Sequence, residues 1–389
     1  MTRERKGNNV MSKKIVYFVG GLLTPNGMGT ILSQKINYLA EHTDYDLYMV
    51  LTEKAGSPWY YKIHPRVKWV NFDINFDDLD IMPMYKKVWH YIQKQRRFKR
   101  MFSDYLMNVR PDITVSICRR EINFITDIKD GSKKIAEIHF ARPYYRKVEK
   151  AFLPRFINEW ISKKWVGSLI EKLKKLDRFV VLTEEDSHNW PELNNLVVIP
   201  NFAGSYTSFR SSLTNKRVIA VGRYSWQKGF DLLIKVWEKV NAIHPDWHLD
   251  IYGGGDNSLY QKMADDQKLS SVVTCHGPAE NISEKYAESS LFVLSSRYEG
   301  FGLVLVEAMG AGLPVVSFAC PCGPRDIVED GQTGLLVPPE DVEQLAEKIC
   351  FLIEHQNVRQ TMGEKAITRA KMFSQEHVMQ QWIDLFESL

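Results

Sequence analysis

The stretch Ser295–Leu313, S-S-R-Y-E-G-F-G-L-V-L-V-E-A-M-G-A-G-L, decides the fold. The apolar run before it, Leu291-Phe292-Val293-Leu294, reads as a buried strand. Glu299, Gly300 and Gly302 fall in a loop, and the apolar run from Leu303 predicts a helix. Strand, glycine loop and helix aim free backbone N–H groups and a positive dipole end at an anion. Gly300 and Gly302 carry no side chain to hold a ligand off the backbone. Glu299 sits in the loop and Glu307 about a turn inside the helix. One unit therefore offers N–H groups to phosphate and carboxylates to sugar hydroxyls. An ordinary βα unit with two solvated glutamates leaves the same trace.

The same unit recurs on either side. Lys13–Val19 predicts a first strand, running into a glycine loop that holds Gly27 and Gly29, then a helical pattern from Ile31 to Ala40. The G-x-G-x-x-G spacing of a dinucleotide site is absent, but the loop supplies backbone donors at a helix start. Arg217–Gly222 predicts another strand, followed by Arg223, Lys228 and a helix over Phe230–Ile243. Arginine grips a diphosphate with parallel N–H bonds and lysine adds a point charge. Lys134–Phe140 predicts a strand ending at His139. A histidine at a strand's carboxyl end is a candidate for transition-state work, and a lone histidine is also often structural.

Strands over Asp46–Leu51, Val67–Phe72, Phe179–Thr183, Trp247–Tyr252, Val272–Gly277 and Pro314–Phe318 alternate with helical patterns. The alternation predicts an α/β class of parallel, doubly wound sheets. Gly331–Pro338 reads as a hairpin-like return, and residues 341–354 and 357–372 as surface helices. A last helix over about 374–389 has Val378, Trp382, Leu385 and Phe386 at helical spacing.

A length of 389 residues predicts two domains. Residues 1–10 read as a disordered extension, 11–203 as a first domain, 204–373 as a second, and 374–389 as a final helix. Residues 1–205 hold 34 Lys and Arg against 23 Asp and Glu; residues 206–389 hold 17 against 24. The basic first half points to an anionic partner. Two stretches there, 85–110 and 142–175, interleave cations with aromatics such as Trp89, Trp160 and Trp165. Basic helices with aromatic faces suit an anionic membrane surface, or the aromatics are core and the charges a solvated face. No nucleic-acid-binding motif accompanies them, so no nucleic acid partner is expected. No apolar run approaches the ~20 residues of a spanning helix, and no signal peptide stands out. Five irregularly spaced cysteines point to a reduced, cytoplasmic compartment, and Cys320-Pro321-Cys322 lacks the second ligand pair of a zinc site.

Jointly these motifs resemble the retaining, nucleotide-sugar-dependent glycosyltransferases of family 4, the bacterial group with the GT-B fold. The matching pieces are G-R-Y-S-W-Q-K-G-F-D-L-L-I (222–234), Y-G-G-G (252–255), H-G (276–277), the Glu299-x7-Glu307 run, G-L-P-V-V (312–316) and G-L-L-V-P (334–338). The resemblance implies two Rossmann-like, doubly wound domains facing across a cleft, with the last helix crossing back to a first, acceptor-binding domain. It implies that Arg223 and Lys228 neutralise the donor diphosphate, that Glu307 holds the ribose and that Glu299 contacts the donor sugar. It places backbone N–H groups around Gly302, Leu303 and Val304 on phosphate and sugar, His139 near the sugar, Gly27–Gly29 closing from the other domain, and the base beside Pro278-Ala279. Catalytic work falls to Glu299, His139, Arg223 and Lys228.

Two cations plus helix N–H groups supply the charge a leaving diphosphate needs, so no metal and no cofactor are expected. The partners implied are a UDP-sugar donor and a glycan or lipid-linked acceptor. The run Cys320–Arg325 resembles a subgroup that builds surface polysaccharides, as in lipopolysaccharide. The first loop, N-G-M-G-T, and Phe202-Ala203 after Pro200-Asn201 depart from the family pattern, which leaves acceptor and sugar geometry open. A GT-B-fold phosphorylase or epimerase, and a nucleotide-sugar-binding protein without chemistry, are the rival readings.

Overall fold

The computed structural model describes residues 12–23, 27–145, 155–204 and 209–389. The expected disordered extension over residues 1–10 lies outside them, as do loop residues 24–26 and Arg146, Lys147, Lys150 and Phe152 of the second basic stretch.

Alternation of short buried apolar runs with amphipathic ones builds two open parallel sheets. The first domain holds β1 (Lys14–Gly20), β2 (Asp46–Leu51), β3 (Lys68–Asn71), β4 (Ile113–Ser116), β5 (Lys133–Glu137), β6 (Arg178–Val181) and β7 (Leu196–Val198). Its sheet order is β3-β2-β1-β4-β5-β6-β7, and every pairing is parallel. Four helices cover it: α1 (Gly27–His42), α2 (Met84–Val109), α3 (Arg155–Leu173) and α4 (Glu184–Ser187). β1 has β2 on one side and β4 on the other, so the connections part there and leave a crevice at the strands' carboxyl ends.

The second domain repeats the plan with β8 (Arg217–Val221), β9 (His248–Tyr252), β10 (Val273–His276), β11 (Leu291–Leu294), β12 (Val315–Phe318) and β13 (Gly334–Val337), ordered β10-β9-β8-β11-β12-β13. Around it lie α5 (Phe230–Ile243), α6 (Ser258–Asp266), α7 (Ile282–Ala287), α8 (Leu303–Gly310), α9 (Pro324–Ile327), α10 (Val342–Glu354) and α11 (Gln356–Ala370). The architecture is GT-B: two doubly wound Rossmann-like domains.

Capping sets several helix starts. The Asp341 carboxylate accepts from the Gln344 N–H at 2.9 Å ahead of α10, and the Thr183 hydroxyl accepts from the Asp186 N–H at 3.0 Å ahead of α4. Each such cap stabilises by about 1 kcal/mol.

The last helix, α12 (Gln375–Glu387), starts behind a Ser374 cap and belongs by packing to the first domain. Its Val378, Met379, Trp382 and Phe386 are buried among β1 and α1 residues. Phe386 meets Tyr17 edge-on with ring centroids 6.4 Å apart, and its carbonyl accepts from Lys13 Nζ at 2.6 Å.

Three expectations are corrected. Gly331–Pro338 is no hairpin: Gly334–Val337 pairs in parallel with β12 as an edge strand, because the chain first crosses through α9. Residues 342–354 are more than a surface helix, since Leu345, Ile349 and Leu352 are fully buried in the second core. The strand expected to end at His139 stops at Glu137, leaving His139 two residues beyond the sheet.

The basic stretches divide by face. On α2, Phe98, Phe102 and Leu106 are core, while Trp89 is 57% exposed; on α3, Phe156, Trp160 and Trp165 are 70%, 61% and 48% exposed. No helix among the described residues is long and apolar enough to cross a membrane.

Candidate functional site

β8 and β11 are neighbours, so the turns that follow them meet at the carboxyl edge of the second sheet. Gly229, at φ +64°, lets them touch: a Cβ there would lie 2.0 Å from the Ser295 carbonyl oxygen. Ser295 Oγ donates to the Lys228 carbonyl at 2.9 Å, and Gln227 Nε2 to the Tyr298 carbonyl at 3.0 Å. The Arg297 guanidinium forks onto Asp231 at 2.9 and 2.7 Å and locks the same junction.

This junction brings Lys228 and Glu299 together. Lys228 Nζ is 2.6 Å from Glu299 Oε1, which also accepts from Ser296 Oγ at 2.6 Å. Both side chains are mostly buried. The lysine stem lies along Gly222, where a Cβ would be 3.0 Å from its Cδ and Cε. Arg223 lies two residues past the end of β8 and is exposed; among the described residues its guanidinium pairs with no acid.

Gly302 precedes α8 at φ +94°, and no side chain caps that helix. The N–H groups of its first turn, from Leu303 and Val304, lack the carbonyl partner an interior residue has. Glu307 lies one turn further, where Tyr286 donates its hydroxyl to Oε2 at 3.1 Å. Burial pushes the Glu307 carboxyl up, against that hydrogen bond and the Lys228 charge. Glu307 lines a cavity of about 190 Å³ with Tyr286 and Leu303, and Thr30, Ile31 and Gln34 line it from the first domain. Pro278 is exposed and Ala279 half-buried in the loop after β10; the Pro278 ring is 4.0 Å from where a Gly254 Cβ would stand.

Across the cleft, Gly27 opens α1, with Leu303 Cδ1 at 4.0 Å from the place of its Cβ. Gly29 is a packing requirement as well, since a Cβ would be 2.7 Å from the Tyr61 ring. A Gly300 Cβ would lie 2.4 Å from the His139 carbonyl oxygen, so the second-domain loop runs against the first-domain histidine. The His139 side chain is 5% exposed, with Nε2 3.4 Å from Glu137 Oε2. Among the described residues neither ring nitrogen has a hydrogen-bond partner. Tyr144 and Tyr298 stack across the cleft, centroids 3.7 Å apart and planes 9° apart. Arg325 pairs with Glu185 at 2.8 Å, and the Glu184 N–H donates to Asp326.

Glu137 was not among the expected residues. It is fully buried and paired with Lys35, itself 1% exposed, whose ammonium lies 3.7 Å from the centroid of the Trp382 ring. Burial alone would raise the Glu137 carboxyl; Lys35 and His139 outweigh it and hold the carboxyl down at about 2. The signal was an acid and a histidine two apart in K-I-A-E-I-H-F, on one face of a strand. The lysine and tryptophan gave none, being distant in sequence.

The fold is the two-domain GT-B architecture, and solved structures share it. Residues 207–369 match the family described as "Glycosyl transferases group 1". An exopolysaccharide phosphotransferase of Streptomyces coelicolor is 35% identical over 229 residues, 57% of this chain and 24% of the relative. A poly(ribitol-phosphate) alpha-N-acetylglucosaminyltransferase of Staphylococcus aureus is 31% identical over 231 residues, 58% of this chain and 47% of the relative. The matches thus span less than half the length of these two relatives. Among solved structures, a sucrose-phosphate synthase of Thermosynechococcus elongatus superposes with a TM-score of 0.79 at 19% identity, over 97% of this chain and 98% of that one. HepE of Anabaena, in complex with UDP-glucose, superposes with a TM-score of 0.71 at 16% identity, over 97% of this chain and 100% of that one.

Proposed function

We propose that this protein is a glycosyltransferase that moves a hexose or N-acetylhexosamine from a UDP-sugar to a glycan or lipid-linked acceptor, with retention at the anomeric carbon and without a metal. The observation that carries the reading is the Lys228–Glu299 pair beside the uncapped start of α8, with Glu307 one turn on. Similarity of the second domain to group 1 glycosyltransferases, and the UDP-glucose bound by HepE, support it.

In this reading the Lys228–Glu299 ion pair gives way to the donor. An arriving diphosphate competes for Lys228, and Glu299 is released to accept a hydroxyl of the donor sugar. Arg223, exposed beside it, joins Lys228 on the phosphates, and the Leu303 and Val304 N–H groups add partial charge. Glu307, oriented by Tyr286, accepts from the ribose hydroxyls. Gly27 and Gly29 bring the first-domain backbone close, and Pro278-Ala279 flank the base. As the sugar–oxygen bond breaks, negative charge grows on the diphosphate where these groups are fixed in advance. The acceptor hydroxyl enters on the same face and passes its proton to the departing phosphate oxygen. His139, backed by the Glu137 carboxylate, faces the positive charge that builds on the sugar.

The exposed aromatics of α2 and α3, set among lysines and arginines, support docking at an anionic membrane surface from the cytoplasmic side. The test is a panel of UDP-, GDP- and ADP-sugars, following release of free nucleotide, with Glu307→Ala as control. The expected result is slow cleavage of one UDP-sugar by the wild type alone. Undiminished cleavage by Glu307→Ala or Arg223→Ala overturns the site assignment.

A further inference from the structure

A second crevice lies in the first domain, where β1 parts β2 from β4. Its volume is about 140 Å³, and Gly20, Gly21, Glu53, Asp77, Arg119 and Arg120 line its polar side. The first turns of α1 stand between it and the Glu307 cavity. Met28, Gly29 and Leu32 face the crevice, and Thr30, Ile31 and Gln34 face the cavity.

Glu53 is 9% exposed. Its Oε1 accepts from the Phe76 N–H at 3.2 Å and the Thr52 hydroxyl at 3.3 Å, while its buried Oε2 has no hydrogen-bond partner among the described residues. A buried carboxylate oxygen without a donor costs free energy, which a ligand hydroxyl recovers. Arg119 and Arg120 follow β4 at the same rim. The Arg120 guanidinium stands 4.4 Å from the centroid of the Phe76 ring, and its carbonyl accepts from Gln95 Nε2 at 2.8 Å, which fixes its backbone. Among the described residues neither guanidinium forms a salt bridge. Burial and Asp77 raise the Glu53 carboxyl, and Arg120 opposes them. The remaining walls, Phe18, Leu23 and Phe76 among them, are apolar and suit the carbon face of a sugar or polyol.

One unsatisfied acceptor and two guanidiniums outside any salt bridge among the described residues ask for a ligand that carries both a hydroxyl and an anion. We propose that this crevice anchors the acceptor and that the acceptor is a phosphate ester of a sugar or polyol, its hydroxyl on Glu53 Oε2 and its phosphate on Arg119 and Arg120. The inference rests on the transferase reading and names its acceptor class. The anchored end sits about one helix diameter, ~10 Å, from the Glu307 cavity, so the reacting hydroxyl belongs to the next unit of the acceptor, reaching past Gly27–Gly29.

The test is calorimetric, at saturating UDP so that the donor phosphate subsite is filled. The probes are glycerol 3-phosphate, glycerol, and a short-chain prenyl diphosphate-linked glucose. Wild type is expected to bind both phosphorylated probes at least tenfold more tightly than glycerol, with affinity falling as salt rises. Arg119→Ala/Arg120→Ala erases the difference and leaves UDP affinity unchanged. Glu53→Gln weakens all three probes alike, and its unchanged UDP affinity checks that it is folded. Tighter binding of the prenyl compound marks a lipid-linked acceptor; equal binding of both phosphorylated probes marks a polyol-phosphate one. Equal affinity of wild type for glycerol and glycerol 3-phosphate, or an undiminished preference in the arginine double variant, overturns the proposal. The transferase reading fails separately: phosphate esters bind, and no nucleotide-sugar is cleaved with any of them present.

Discussion

Each domain places a strand, a glycine loop and a helix at the cleft, and the two units handle charge in opposite ways. In the second domain, Lys228 and Glu299 face each other at the carboxyl edge of the sheet, bordering the cleft beside the exposed Arg223. In the first domain, Lys35 and Glu137 are 1% and 0% exposed and roofed by Trp382, a pair nothing can reach. In the proposed reading the same two residue types serve as a working contact in one domain and as a rigid support for His139 in the other. What separates them is burial and whether the partner can be exchanged, not the chemistry of the groups.

The largest effect is expected on the sealed pair. Lys35→Met leaves an unpaired carboxylate in the core and should cost about 3–5 kcal/mol in a urea titration. Lys35→Met/Glu137→Leu should recover most of that, and a double variant as unstable as the single one would break the contrast. Lys228→Ala should instead lower turnover by ~10²–10³-fold, as loss of a donor to developing charge does, with a much smaller change in stability than Lys35→Met. Gly300→Ala sharpens the comparison at the contact between domains. Its Cβ would meet the His139 carbonyl, so the cleft should open, visible as a larger radius in X-ray scattering, with turnover down by up to ~10²-fold.

Acid reads the sealed pair directly. The Glu137 carboxyl lies at about 2 in the fold against an ordinary 4.5, so in that window the unfolded chain binds more protons. Its stabilisation is complete above pH 4.5 and disappears as pH falls towards 2. Lys35→Met/Glu137→Leu should lack that share of the acid slope. The smallest effect belongs to Arg325→Ala. Its pair with Glu185 is 47% and 29% exposed, and removing it should change stability by less than ~1 kcal/mol.

The contrast also explains what was legible. The α8 unit lies in one run of 19 residues, from Ser295 to Leu313, and the partners that lock it, Gln227 to Asp231, in another. Local spacing carried that geometry, down to the position of Glu307 in its helix. The sealed support is assembled from β5, α1 and α12, with Lys35 and Glu137 102 residues apart, so no local pattern announced it. Glu53, Arg119 and Arg120 were likewise split between the ends of two strands, β2 and β4. The edge strand at Gly334 was misread because two glycines three residues apart, Gly331 and Gly334, imitate a turn, while its parallel pairing depends on where α9 delivers the chain.

The position of α12 has a consequence for synthesis. Trp382 and Phe386 fill the core of the domain that leaves the ribosome first, yet they are translated after the whole of the other domain. Until then Lys35 has no tryptophan over it and part of the apolar floor under β1 is open to water. The first domain must therefore wait, incompletely sealed, for the second to be made.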